Sequence, residues 1–320
     1  MATNVINKYS YDRNSVKAGI LHFGVGNFHR AHLEYMTSHL LEDPTQRSWG
    51  ICGAMILPGD ERLYKALKEQ NGEYTLTVCG RDGKNEVYRL GALVELYWGI
   101  EQKEAILDKI ADPDIRIITL TITEGGYNIS RQTGEFMLDN AQVAHDLANP
   151  ANPLTAFGYV AEGLRRRKAS GAGPITILSC DNLQHNGNTA RRAFMSFVEA
   201  QDQELAAWME KNVTFPNSMV DRITPATRPE DVERLNKENG TDDKAPVYCE
   251  DFIQWVVEDN FAAGRPAWET VGAQMTDDVT AFENMKLSLL NASHTLLSYP
   301  SFLYGLSLIH ISEPTRLRRI

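Results

Sequence analysis

AGILHFGVGNFHRAHLEY, residues 18–35, decides the fold of this chain. The apolar run Ala18–Phe23 reads as a buried strand, Gly24 and Gly26 as a turn, and the following residues as a helix to about Leu41. Strand, glycine turn and helix in that order form the opening of a dinucleotide-binding unit. The first glycine permits a tight turn. The second lets the backbone approach a pyrophosphate at the helix N-terminus. His29 stands where the fingerprint usually has its third glycine, and a tight turn in any α/β protein can look the same. The next apolar run, Trp49–Ile56, leads to Asp60. A carboxylate there can hold ribose hydroxyls and repels a 2′-phosphate, which favours NAD over NADP. Asp60 lies further from the glycines than the usual ~20 residues, Glu61 is its rival, and Asp60 also suits a helix cap.

Further along the chain, short β-branched runs alternate with helical stretches. This predicts an α/β fold, a Rossmann-type mostly parallel sheet with helices on both faces. Residues 74–99 read as strands YTLTV, EVYRL and ALVELYW, with the Asp82-Gly83 pair as a turn. Helix KEAILDKIA leads to the buried run IRIITLTIT, residues 115–123. A helix over residues 153–166 leads to the strand PITILS, residues 174–179. Thr189–Lys211 reads as one long helix. From Met275 the pattern becomes helical, with Leu287, Leu290 and Leu297 on one side.

The chain has 320 residues, 42% hydrophobic and 23% charged, enough for one large or two medium domains with a sizeable core. Its formal net charge of −10 argues against a nucleic-acid partner, which needs phosphate-facing Lys and Arg. Cys52, Cys79, Cys180 and Cys249 form no CxxC pair and read as thiols of a reducing compartment. The N-terminus carries no apolar signal core, and no apolar run reaches the length of a membrane span. These features predict a cytoplasmic protein without a membrane partner. They say nothing of oligomeric state.

Some motifs are weaker than they look. Tyr64 and Lys68 match the Tyr/Lys pair of short-chain dehydrogenases but come too early for that catalytic helix, and they read as an exposed helix face. His22, His29 and His32 lack the spacing of a metal site, so a structural or cofactor-contacting role suits them better. Three other segments stand out together. Asp181 and Asn182 fall just past a strand's C-terminal end, the edge where open α/β sheets place ligands. Asp221 and Arg222 form the second group. Lys286, Asn291 and His294 form the third, at about 0°, 140° and 80° around an α-helix.

GVGNFHRAH, TLTITEGGYNI, SCDNLQHNG, FPNSMVDRITPAT, EDFIQWVVEDNF and MKLSLLNASH together resemble the mannitol dehydrogenase family, the polyol-specific long-chain dehydrogenases and reductases. The resemblance runs from about Gly19 to Gly305. It implies a zinc-independent enzyme whose N-terminal Rossmann-type domain, residues 1–275, binds NAD through Gly24, Gly26, Phe28, Arg30 and Asp60. Residues 276–305 then begin a helical substrate domain. The resemblance assigns the catalytic lysine to Lys286, substrate-binding asparagines to Asn182 and Asn291, a histidine to His294, and proton exchange with solvent to Glu124. Val220 and Asp221 match positions lining the sugar site. The implied substrate is a polyol and its keto sugar, with mannitol/fructose favoured over a hexuronate such as fructuronate.

Alcohol oxidation requires proton loss from oxygen and hydride loss from carbon. A lysine with a pKa lowered by burial can take the proton, and two amides can stabilise the alkoxide. Residues 306–320, LSLIHISEPTRLRRI, do not resemble the family. The helix carrying Lys286 and His294 is therefore expected to expose an apolar face, and the chain as written to have weak activity or none.

Overall fold

In Ala18–Phe23 every residue is buried, and the side chains divide between two cores: Ile20 faces one, and Leu21 and Phe23 the other. An element apolar on both faces must lie inside a sheet covered on both sides. The computed structural model describes residues 4–304 and shows this arrangement. Its strands are β1 (Ile6–Lys8), β2 (Ala18–Phe23), β3 (Gly50–Met55), β4 (Tyr74–Cys79), β5 (Asn85–Leu90), β6 (Leu93–Trp98) and β7 (Ile117–Leu120). They continue with β8 (Ile175–Ser179), β9 (Val213–Thr214), β10 (Ser218–Asp221), β11 (Val247–Glu250), β12 (Gln254–Glu258) and β13 (Gln274–Thr276).

The main sheet has six strands in the order β6-β3-β2-β7-β8-β9, all parallel. Helices Gly99–Ala111, Ala156–Ser170 and Asn186–Gln201 cover one face through Ile106, Ile110, Val160, Leu164 and Phe194. The other face is covered by Leu33, Met36 and Leu40 of helix Leu33–Leu40 and by a second sheet, β1-β5-β4-β11. Each of these aliphatic side chains, fully buried, contributes about 1.5–3 kcal/mol. The strands expected in residues 74–99 divide between the two sheets. β4 and β5 pair antiparallel across the Asp82-Gly83 turn, while β6 joins the main sheet. A third sheet, β10-β12-β13, was not legible in the sequence.

Two expectations need correction. The stretch Thr189–Lys211 is two helices, Asn186–Gln201 and Gln203–Asn212. Asp202 between them is extended, at φ −155°, and its carboxylate caps the second helix by accepting from Leu205 N. Tyr64 is not on an exposed face. It is buried against Trp98, with its hydroxyl donating to Gln102 Oε1 at 2.7 Å; Lys68 is exposed as expected.

After β13 the described chain is helical. Thr280–Met285 is α-helix, Lys286–Asn291 is π-helix, and Ala292–Leu303 is α-helix again. Leu287, Leu296, Leu297, Tyr299, Phe302 and Leu303 are exposed along it, as expected of an apolar face without cover. The tail 306–320 lies outside the described residues. Among the described residues, no helix is long and apolar enough to cross a membrane.

Candidate active site

The glycine turn is built against the neighbouring strand. Gly24 has φ +95°, and a Cβ there would collide with the carbonyl oxygen of Thr121. Only glycine fits that position. Thr121 Oγ1 donates to Gly24 O at 2.6 Å. His22 sits beneath, with Nδ1 2.8 Å from Thr119 Oγ1 and Nε2 3.1 Å from Gly24 O. Burial lowers its pKa to about 3, so it is a neutral structural pin. Gly26 differs. It is exposed at the start of helix Asn27–Ala31, and a Cβ there would meet only Gly24 O, at 3.8 Å. The space in front of Gly26 is not used by the protein, which is the cradle a pyrophosphate needs.

Of the other residues expected at the cofactor, Phe28 is half-buried and stacks on His32. Asp60 closes the turn after β3, where its Oδ2 accepts from Leu57 N at 2.9 Å. The cap it forms belongs to this short turn and not to the next helix. Arg30 departs from expectation. Its guanidinium is buried, donates to Ala245 O and Asn27 Oδ1, and lies over the Tyr74 ring. It ties the glycine turn to the second sheet and offers no exposed charge to a phosphate. His32 is likewise buried, with Nε2 3.0 Å from Gln254 O, and its pKa is lowered to about 4 by burial. Among the described residues, no group of three or more His, Cys, Asp or Glu is placed to hold a metal ion.

The second half of the site forms where β8, β10 and the C-terminal helix meet. Asp181, just past β8, is buried, and its carboxylate accepts from Ile122 N, Thr123 N and the Tyr127 hydroxyl at 3.1, 2.8 and 2.7 Å. These bonds hold Thr123 in the left-handed region, at φ +66°. Burial raises the Asp181 carboxyl's pKa against these three donors. Asn186 and Ser218 lock β10 to the end of β8, through Asn186 Nδ2 to Ser179 O at 3.1 Å and Ser218 Oγ to Ser179 O at 2.6 Å.

On that frame Lys286 Nζ donates to Asn182 Oδ1 at 2.8 Å and to Val220 O at 2.7 Å. Asp221 Oδ1 stands 3.5 Å away. The lysine side chain is only 10% exposed, and burial lowers its pKa while Asp221 pulls the other way. Asn182 uses its oxygen to accept from the lysine, so the donors of its amide are not engaged by that bond. Asn291 lines the same cleft, with Val220, Leu287 and Glu283.

Glu283 was missed by sequence reasoning. It lies one helical turn before Lys286, and that spacing was its only signal. It is buried, its Oε1 accepts from His185 N at 2.9 Å, and its Oε2 lies 3.4 Å from His185 Nδ1. Glu124 is exposed and pairs with Arg131 at 3.0 Å; the residue before it, Thr123, donates its N–H to Asp181 of this cleft. His294 lies on helix Ala292–Leu303. Arg222 is buried, donates to Ala31 O and Glu250 O, and lies over the Tyr35 ring. Its charge is spent on the fold.

Residues 18–270 match the family described as the mannitol dehydrogenase Rossmann domain. The chain is 48% identical over 297 residues to a polyol:NADP oxidoreductase of Gluconobacter oxydans, covering 92% of this chain and 61% of that protein. It is 44% identical to D-mannonate oxidoreductase of Escherichia coli, covering 92% of this chain and 61% of that protein. The structure superposes with a TM-score of 0.91 on Pseudomonas fluorescens mannitol 2-dehydrogenase, solved as a ternary complex with NAD and D-mannitol. That pair is 44% identical and covers 95% of this chain and 62% of the other. The chain thus spans about three fifths of the length of these relatives.

Proposed function

The chain belongs to the mannitol dehydrogenase family, and we propose that it works as a polyol dehydrogenase, interconverting D-mannitol and D-fructose with NAD. The observation that carries this is the pair of contacts at Lys286 Nζ, 2.8 Å to Asn182 Oδ1 and 2.7 Å to Val220 O. Burial lowers the pKa of Lys286, which makes its neutral amine, the form that acts as a general base, easier to reach. In oxidation, Lys286 takes the proton from the substrate hydroxyl. Asn182 and Asn291 donate amide hydrogens to the oxygen as it becomes an alkoxide. In reduction, the same amides polarise the carbonyl and the ammonium returns the proton. Bound NAD supplies the hydride acceptor. In this reading Gly24 and Gly26 form its pyrophosphate cradle, Phe28 flanks it, and Asp60 holds the ribose hydroxyls and disfavours a 2′-phosphate. His294 orients the sugar, and Glu124 exchanges the proton with water. The lysine and the two amides do what a metal does in other alcohol dehydrogenases. The buried thiols of Cys52, Cys180 and Cys249 fit a cytoplasmic setting.

The second reading is a hexuronate reductase, favoured by the 44% identity to D-mannonate oxidoreductase. A carboxylate substrate needs a cation, and the cleft offers the acids Asp181 and Glu283 beside Lys286. This balance supports a neutral polyol. The test is NADH consumption with D-fructose and with D-fructuronate in parallel. Turnover with fructose supports the first reading, and turnover with fructuronate alone supports the second. Consumption of NADPH but not NADH overturns the role given to Asp60.

A further inference from the structure

The sequence places Lys286 and Asn291 five residues apart on a helix. In a regular α-helix that spacing separates them by about 140°, at the two ends of the broad arc that also carries Glu283 and Leu287 to the cleft. The structure brings both to it. Residues Lys286–Asn291 form a π-helical turn, in which the Ala292 N–H reaches back five residues to Leu287 O. Such a turn has roughly 4.4 residues per turn, so residues five apart are only about 50° apart. The turn is bounded on both sides by ordinary α-helix, Thr280–Met285 and Ala292–Leu303. It is the equivalent of one residue inserted into a continuous α-helix. Ser288 is an exposed residue within it.

We propose that this π-turn is the positioning device of the site: it takes up one extra residue so that the amide of Asn291 faces the same cleft as the amine of Lys286. A π-turn is less favourable than the α-helix it interrupts and survives where function needs it. The turn also sets the phase of everything beyond it, so the face that carries His294 is offset by one residue from a plain α-helical projection. The catalytic meaning of this geometry rests on the function proposed above, but the geometry itself does not.

Two tests separate these layers. In a Lys286→Cys/Asn291→Cys variant, dibromobimane should bridge the two thiols as efficiently as in a Lys286→Cys/Leu290→Cys control, whose residues are four apart. Bridging of the control pair alone means a regular α-helix and overturns the proposal, whatever the protein turns over. The second test deletes Ser288. If the turn holds one inserted residue, the deletion leaves a plain α-helix with lysine and asparagine four apart, about 40° from each other. Turnover should then stay within about threefold of the unmodified chain, with an unchanged or higher melting temperature. Inserting alanine after Ser288 should instead rotate Asn291 out of the cleft and cost about 100- to 1000-fold, the loss typical of one oxyanion donor. A deletion that costs as much as the insertion overturns the proposal. Absence of turnover in the unmodified chain is the outcome expected above for the chain as written, and the crosslink then decides the geometry by itself.

Discussion

The two halves of the candidate site are held in opposite ways. The glycine turn grows out of β2 and β3, in which every residue is buried, and both faces of that sheet are covered. Lys286 grows out of a helix that buries little. Glu283 is buried in its first segment, while Leu296, Phe302 and Leu303 beyond are 71%, 82% and 83% exposed. Apolar burial therefore fixes the cofactor half, and a few polar contacts fix the catalytic half. The lysine is positioned by Asn182, Val220 and Asp221, and its helix end presents a hydrophobic surface of the kind that other protein normally covers.

The largest effect expected from this contrast is in hydrogen exchange. Amides of β2, β3 and β7 should exchange only through global opening. Those of residues 292–303 should exchange about a thousandfold faster or more. Equal protection in the two regions would mean that the C-terminal helix is held as firmly as the sheet. The next largest effect is at the turn. Gly24→Ala meets both the Thr121 carbonyl and a φ of +95°, so it should cost about 2–4 kcal/mol and weaken NADH binding. A melting curve with and without NADH measures both.

Glu34 offers a smaller test of the buried half. Its carboxyl lies 3.6 Å from His29 Nε2, and burial pushes its pKa up to about 8. A folded pKa above the unfolded one gives stability that is fully present below about pH 4.5 and lost as pH rises toward 8. Glu34→Gln should therefore melt like the parent at pH 5 and above it at pH 8, by about 1–3 kcal/mol. A constant difference across that range would show that Glu34 stays ionised. The smallest effect is at the lysine. Asp221→Asn removes the group that raises the Lys286 pKa against burial. The acidic limb of kcat/KM for polyol oxidation should move to lower pH. A shift to higher pH would contradict the assigned pairing.

The same contrast governs what the sequence could reveal. The parallel sheet was legible because β2, β3, β7 and β8 are buried on both faces and read as continuous apolar runs. Lys286, Asn182, Asp221 and Asn291 stood out as unusual residues in ordered motifs, and the structure brings them to one cleft. The π-turn was not legible, because no residue type specifies it and KLSLLN fits an α-helix equally well. The inward turn of Arg30 and Arg222 was hidden for a similar reason. Their partners, Ala245 O and Ala31 O, are backbone atoms brought near by tertiary packing, without a sequence signal. The break at Asp202 was readable in principle, since an Asp followed three residues later by a buried Leu suits a helix start.

The proton transfer proposed for Lys286 in a nicotinamide-linked reduction can be observed in one turnover. A single-turnover experiment tests it most directly. The chain, at a concentration exceeding that of NADH, is mixed with D-fructose, and the nicotinamide absorbance is followed beside a Lys286→Ala variant. Fructose-dependent loss of NADH is expected in the parent chain, slowed about 100-fold or more in the variant, with NADH binding equal in both. Equal rates of NADH loss in the two, or loss of NADH binding on removing the lysine, would contradict it.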